Sequence, residues 1–365
     1  MCGMISIDPS SPVSTLESIR SAMKENIEIV EMSGLFSLTK TGPQRLFFRV
    51  KREFEVEKKA LNQIEQKVDW ATLIRRFNDF HPGINTAENY YPDTFAISLQ
   101  ACSDLSVTKH NVFLPFPLVL GSVQAAEHCT LEFVDKWKEV FTQCITPAVE
   151  KCLTSSCLKR YLQLTGNIEV TTYGFSLLHE LSHRYGAFRV LPAPQNNIKL
   201  EKFQIDLLSE LQANALVVKH SEKILEYQVF WLFHHIFWHA RWETVSNPVS
   251  GAINIDNDSC LGAYLAELAF QNKIFEWQDN KLHVHFDKIL ELSSHIISEL
   301  ETLSDLLNKT NNTDDQKNIV WQWLQKTIPY SNLERFYFSE NVQKLLGKVK
   351  NVPTSFILSN TQEIA

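Results

Sequence analysis

His179-Glu180-Leu181-Ser182-His183 places two imidazoles and a carboxylate within five residues. On a helix, residues i and i+4 lie one turn apart on the same face, so both rings can reach one ion. Glu180 then sits beside that ion, placed to take a proton from water there. Zinc, one ion per chain, is the metal this spacing predicts, with another divalent metal as the alternative. A catalytic zinc site takes a third protein ligand and keeps one position open. Glu210, in Ser209-Glu-Leu-Gln-Ala-Asn-Ala215, is the candidate third ligand. Asn214 follows it by one turn on the same face, where it could hold a ligating imidazole by its other nitrogen. The stretch Val170 to Leu178 is apolar on one side. That buries the motif helix, and buried charged groups need partners or a metal.

Other reactive residues give weaker patterns. His283 and His285 alternate on an expected strand and face one side, a pair that can bind metal. Glu291 and His295 stand at i, i+4 and, with Glu226, His235 and Glu243, suggest a rival helical di-iron oxidase. That rival lacks the paired Glu-x-x-His motifs. Met1-Cys2-Gly3 resembles the start of class II glutamine amidotransferases, but no other segment of that family follows, and a short first strand is the preferred reading. Tyr185 and Tyr264 could serve as acids or oxyanion donors. Cys152 and Cys157 have no histidines at ligand spacing along the chain.

The elements that must position these groups fall into two parts. Residues 1–120 read as a smaller α+β region. Ser14-Thr-Leu-Glu17 opens a helix towards Val30. Leu35 to Thr39 and Arg45 to Val50 read as strands around Thr41-Gly-Pro43, Glu53 to Phe77 as helix, and Phe95 to Leu99 and Val112 to Leu114 as short strands. Residues 121–365 read as mainly helical, with amphipathic segments at about 126–152, 169–186, 200–219, 222–243, 258–272, 285–308, 315–327 and 331–347. A hairpin turns at Asp279-Asn280. The stretch Val229 to Trp238 is apolar but too short to span a bilayer, and reads as a buried helix.

Composition narrows the function. The chain has 365 residues, 44% hydrophobic and 21% charged, which is ordinary for a globular protein with a large core. Its net charge of −7 and lack of a Lys/Arg cluster argue against a nucleic-acid partner. Seven cysteines without a Cys-x-x-Cys pair fit reduced thiols, and the N-terminus has no signal-peptide pattern. The expectation is a cytoplasmic protein with no membrane partner.

His179-Glu-Leu-Ser-His183 with Glu210-Leu-Gln-Ala-Asn214 resembles the gluzincin metalloproteins, whose pattern is His-Glu-x-x-His followed by Glu-x-x-Ala-Asp. Within them the dipeptidyl peptidase III-like group is the most similar. Phe237-Trp-His-Ala-Arg241-Trp, Gly251-Ala-Ile-Asn-Ile255 and the hairpin before a long helix occur in that group's order. The resemblance covers roughly residues 170 to 305. Asn214 stands where the family has Asp, and the first motif lacks the extra residue of true dipeptidyl peptidases III. The resemblance implies a zincin-like helical metal-binding domain. It also implies that a histidine and an arginine from a later helix face the substrate, with His234, His235, His239 and Arg241 as candidates. Arg241 would bind a substrate carboxylate and a histidine would stabilise an oxyanion.

The expected activity is that of a zinc-dependent hydrolase of an amide, peptide or related small substrate. Glu180 acts as general base, His239 and Arg241 assist catalysis, and His235, Arg241 and Tyr264 line the substrate. An isomerase, cyclase or lyase of a small metabolite would use the same groups. A metal-stabilised binding protein without catalysis is the non-enzymatic alternative.

Overall fold

The computed structural model describes residues 2–7, 12–24, 27–38, 42–80, 92–103, 129–189, 198–241, 257–328, 330–332, 335–336, 338–356 and 362–363. Among these the chain is mainly helical with a small N-terminal sheet, the class expected from the sequence. It forms two compact units. One contains residues 1–143, 167–181 and 355–365, and the other residues 144–166 and 182–354. The boundary expected near residue 120, the strand Val112 to Leu114, Glu243 and the segment Gly251–Ile255 lie outside the described residues.

Among the described residues the first unit is built on six strands: β1 (Cys2–Ile7), β2 (Ile29–Leu38), β3 (Gly42–Arg52), β4 (Asp93–Cys102), β5 (Cys129–Phe133) and β10 (Gln362–Glu363). β1 runs parallel to β2, and β2, β3 and β4 form an antiparallel run. β5 and β10 both pair in parallel with β4, one along residues 93–97 and the other at 101–102. β4 is buried almost throughout, so both faces need cover. Helices α1 (Pro12–Lys24), α2 (Phe54–Lys67) and α3 (Trp70–Phe80) belong to this unit. Arg52 lies over the rings of Phe54 and Phe95 and pairs with Glu57 at 2.8 Å, which in turn accepts from the Ala96 amide.

Several elements differ from the sequence expectation. α1 opens at Pro12, where the ring's fixed φ suits a first turn, and it stops at Lys24 rather than Val30. Val30 and Met32 belong to β2, each 1% exposed, so sheet burial overrides helical periodicity there. The helix expected over 53–77 is broken at Val68, whose backbone is extended. The helix expected from residue 126 begins with β5 and becomes α4 (Val134–Val140), a π turn (Phe141–Ile145) and α5 (Thr146–Cys152).

Asp135, in the first turn of α4, accepts the Leu99 amide at 2.8 Å. Burial nevertheless pushes its carboxyl up from 3.8 to about 7. Between about pH 4 and 7 the native state therefore holds a proton that the unfolded chain has released, so stability falls as pH rises through that window. Asn keeps the acceptor and carries no charge. Asp135→Asn is expected to flatten this fall and raise the urea midpoint near neutral pH but not at pH 4. An unchanged pH profile would refute the assignment.

The second unit contains α6 (Ser155–Leu164), absent from the sequence expectation, then α8 (Lys202–His220), α9 (Leu225–His234) with its π turn (His235–His239), and α10 (Asn257–Gln271). The hairpin β6 (Phe275–Gln278) and β7 (Lys281–Val284) turns through Asp279 and Asn280, both left-handed, as expected. α11 (Ile289–Asn308), α12 (Thr313–Gln325), the short pair β8 (Tyr330–Asn332) and β9 (Arg335–Phe336), and α13 (Glu340–Val349) complete it. α7 (Ile168–Ser182) lies almost wholly in the first unit. α13 starts nine residues later than expected, at a Ser339 cap that accepts the Val342 amide. Val229 to Trp238 is buried on all sides, His234 and His235 included.

α10 crosses the π turn at Gly262. A Cβ there would stand 2.4 Å from the His235 carbonyl oxygen and 2.6 Å from the Ala240 nitrogen. Both are backbone atoms in a packed core and cannot give way. Gly262→Ala is expected to cost about 3 kcal/mol or more, read as a lower denaturant midpoint, and an unchanged midpoint would contradict the close approach.

Candidate metal centre

α7 carries the first motif, and its N-terminal half is fixed by the sheet. Tyr173 and Val170 pack with Ala60, Ala96 and Val134, and the Tyr173 hydroxyl donates to the Thr94 carbonyl at 2.9 Å. The helix ends at Ser182, so His183 stands in the turn that follows, and Gly186 (φ 96°) reverses the chain. α8 then starts with a capping box between Glu201 and Gln204.

Ligand atoms of His179, His183 and Glu210 all lie within 4.8 Å of one another. His183 Nε2 is 3.3 Å from Glu210 Oε1, and its Nδ1 is 3.1 Å from Ser209 Oγ. One nitrogen thus faces the carboxylate while a hydroxyl fixes the other, the arrangement that orients an imidazole for a metal. The His179 ring stacks on Phe175, with centroids 6.1 Å apart. The donor set, two nitrogens and one carboxylate oxygen, fits a catalytic zinc ion.

Glu180 is 5% exposed. One turn before it, Ser176 donates to Glu132 Oε2 at 2.7 Å, and Trp137 Nε1 donates to Oε1 at 2.6 Å. Burial pushes the Glu132 carboxyl up, and the nearby charge of Glu180 pushes it in the same direction. Glu132 was not singled out from the sequence, because its place beside the motif depends on the pairing of β5 with β4.

The group beside His183 is Ser209, adjacent to Glu210, whereas Asn214 is buried one turn further along α8. Gln212 is a second group missed by the sequence reading. Its side chain accepts the Phe188 amide at 2.9 Å and donates to the Tyr185 carbonyl at 3.0 Å. It clamps the loop after His183 onto the helix bearing Glu210. The φ of Gly186 is one that L side chains rarely adopt, and a Cβ there would also meet the Gln212 side chain at 2.5 Å.

The other candidates fall into separate places. His234, His235 and His239 form one buried group, with centroids 4.0 Å apart for 234–235, 5.2 Å for 235–239 and 5.4 Å for 234–239. His239 Nδ1 is 3.6 Å from Asp258 Oδ2. Arg241 is 1% exposed, and its terminal nitrogens donate to the carbonyls of Cys144, Phe237, Val349, Val352 and Pro353. Burial lowers its guanidinium to about 10. Tyr264 is buried against Trp323, with its hydroxyl pushed up by that burial. Glu291 and His295 are exposed on α11 and join no three-ligand group among the described residues. Cys102, Cys144, Cys152, Cys157 and Cys260 are buried thiols outside any disulfide. No helix among the described residues is long and apolar enough to cross a membrane.

Fold and donor set together define a mainly helical protein with a small sheet and a candidate His-His-Glu centre. Among solved structures it is similar to DPP III from Caldithrix abyssi, with a TM-score of 0.60 at 12% identity. The match covers 95% of this chain and 63% of that one, so the chain spans less than two thirds of that structure. The likeness agrees in fold with the family resemblance read from the sequence. Over 130 residues, 33% of this chain, it is 28% identical to 19% of conserved oligomeric Golgi complex subunit 6 of Schizosaccharomyces pombe. No family model matches the chain.

Proposed function

We propose that this protein is a zinc-dependent hydrolase of peptide or related small amide substrates. The observation that carries the reading is the convergence of His179, His183 and Glu210, whose ligand atoms lie within 4.8 Å. A zinc ion held by these three residues would supply Lewis acidity, polarising a carbonyl oxygen and making water a nucleophile near neutral pH.

The chain's own residues supply the rest. Glu180, one residue from His179 and 5% exposed, takes the proton of the attacking water and delivers it to the leaving amine. Ser209 holds His183 in one orientation, and Gln212 holds the loop that carries it. His235 and His239 are assigned to the substrate side, where a neutral imidazole can donate to a developing oxyanion. The Arg241 guanidinium is occupied by backbone carbonyls, so its role in this reading is to support the π turn that carries those histidines. Glu132 is a fixed carboxyl behind Glu180. Five buried thiols outside any disulfide are in keeping with a cytoplasmic setting.

The test is metal content together with turnover. The purified chain should carry zinc, one equivalent of which is lost in a His179→Ala, His183→Ala double variant, and should release amine from a panel of short peptides. A chelator should abolish that release and added zinc restore it. Absence of stoichiometric metal after loading with zinc would overturn the reading.

A further inference from the structure

The β6–β7 hairpin carries a second set of ligating side chains, remote in sequence from the first motif. Glu276 pairs directly with His283 across the hairpin, so the two share a face. His285 follows at alternate spacing on the same side. The hairpin is docked on the junction of α5 and α6. Leu153 bridges to Leu282, the Thr154 amide donates to the Leu282 carbonyl at 3.0 Å, and Lys281 Nζ donates to the Lys151 carbonyl at 2.9 Å. This docking brings Cys157, in the first turn of α6, against the ligand face. Its sulfur is 3.6 Å from His283 Nδ1 and accepts the Val284 amide at 3.3 Å. The Val284 carbonyl lies 3.7 Å away.

We propose that Cys157, His283, His285 and Glu276 form a second, closed metal site for a thiophilic divalent ion, zinc above all, which staples the hairpin to α6. Two separations already fit one ion, whereas in the present rotamers the four ligand atoms do not converge as those of the first set do. With metal–sulfur and metal–nitrogen bonds of about 2.3 and 2.05 Å, a tetrahedral ion sets its sulfur and nitrogen about 3.6 Å apart. Two imidazoles on such an ion have centroids about 5 Å apart, and those of His283 and His285 are 4.7 Å apart. One thiolate and one carboxylate neutralise a divalent charge, and the Val284 amide supplies the hydrogen bond that a metal thiolate accepts. Four protein ligands leave no open position, which makes the site structural rather than catalytic.

In the present rotamers His285 Nε2 lies 3.0 Å from Glu276 Oε2, a contact that also holds the Glu276 carboxyl below its ordinary value. These two therefore turn towards the sulfur together when the ion enters. Both are partly exposed, at 29% and 41% of their side chains, so a rotamer change costs little packing. The competing arrangement is a thiol–imidazole hydrogen bond that ties α6 to the hairpin without metal.

Cobalt titration of the metal-free full-length chain separates the two. The His179, His183 and Glu210 set holds no sulfur, so a thiolate-to-cobalt charge-transfer band cannot come from it, and loss of the band in Cys157→Ser assigns it to this site. The expected result is such a band, saturating at one equivalent beyond any bound at the first site and persisting in the His179→Ala, His183→Ala double variant. Cys157→Ser should abolish it, and His283→Gln should weaken cobalt affinity at least tenfold, with circular dichroism showing both variants folded. If Cys157→Ser does not fold, His283→Gln and His285→Gln carry the test. Absence of the band in the wild-type chain at saturating cobalt, or its survival in Cys157→Ser, overturns the proposal. Neither outcome bears on the hydrolase reading, which fails separately if the first site holds no metal.

Discussion

Glu180→Gln is expected to lower kcat about a thousandfold while leaving metal content and KM near their wild-type values. A positioned general base contributes about 10²–10⁴ in rate, and a thousandfold loss corresponds to about 4 kcal/mol of barrier. The exchange keeps the shape of a side chain that is 5% exposed, so packing changes little. It leaves His179, His183 and Glu210, the three groups whose ligand atoms converge, untouched. Loss of turnover with retained metal would therefore isolate proton transfer from metal binding. Unchanged turnover in the fully loaded variant would eliminate Glu180 as the base. Loss of metal would place Glu180 among the ligands instead.

The parts of the site legible in the sequence are those fixed by local geometry. The i, i+4 spacing of His179 and His183 requires only one turn of helix, and the structure keeps their nitrogens close even though α7 ends at Ser182. Glu210 was legible because a carboxylate on the next long helix is the simplest third ligand. The groups that hold the ligands were not legible. Ser209 and Gln212 act only because the loop through Gly186 folds back onto α8, a tertiary event with no periodic signature. Gly186 itself was the available signal, since a glycine just past a helix end marks a left-handed reversal. Arg241 is a different case. Its place in a motif suggested a substrate partner, and only the tertiary structure shows its guanidinium among backbone carbonyls.

The fold divides along the same line. The hairpin was readable because Asp279-Asn280 tolerates two left-handed residues. β5 was not, since Cys129–Phe133 becomes a strand through its parallel partner β4 rather than through any alternation of its own. The Ser339 cap of α13 could have been found. A serine three residues before Val342 is an ordinary helix start, and the Ser339 amide is also held by the buried Glu267 carboxylate at 2.7 Å.

Glu210→Ala should weaken zinc binding at least a thousandfold, while Ser209→Ala should weaken it only about 10–100-fold, as loss of a group behind a ligand does. The difference follows from what each residue touches. Glu210 Oε1 faces His183 Nε2 at 3.3 Å and removing it deletes a ligand, whereas Ser209 meets only the far nitrogen of that ring. The Glu210 side chain is 35% exposed, so its truncation costs little packing and the metal-free variant should melt within about a degree of the metal-free wild type. With zinc in excess the two must diverge. A ligand that binds only the native state stabilises it by RT ln(1 + [L]/Kd), so a thousandfold weaker site forfeits about 4 kcal/mol at the same zinc concentration. On adding zinc the wild-type Tm should therefore rise by several degrees more than the Glu210→Ala Tm, with Ser209→Ala between them. Calorimetric titration of the three proteins checks the order directly. Zinc affinity in Glu210→Ala equal to wild type would remove Glu210 from the site and leave the two histidines without their carboxylate partner.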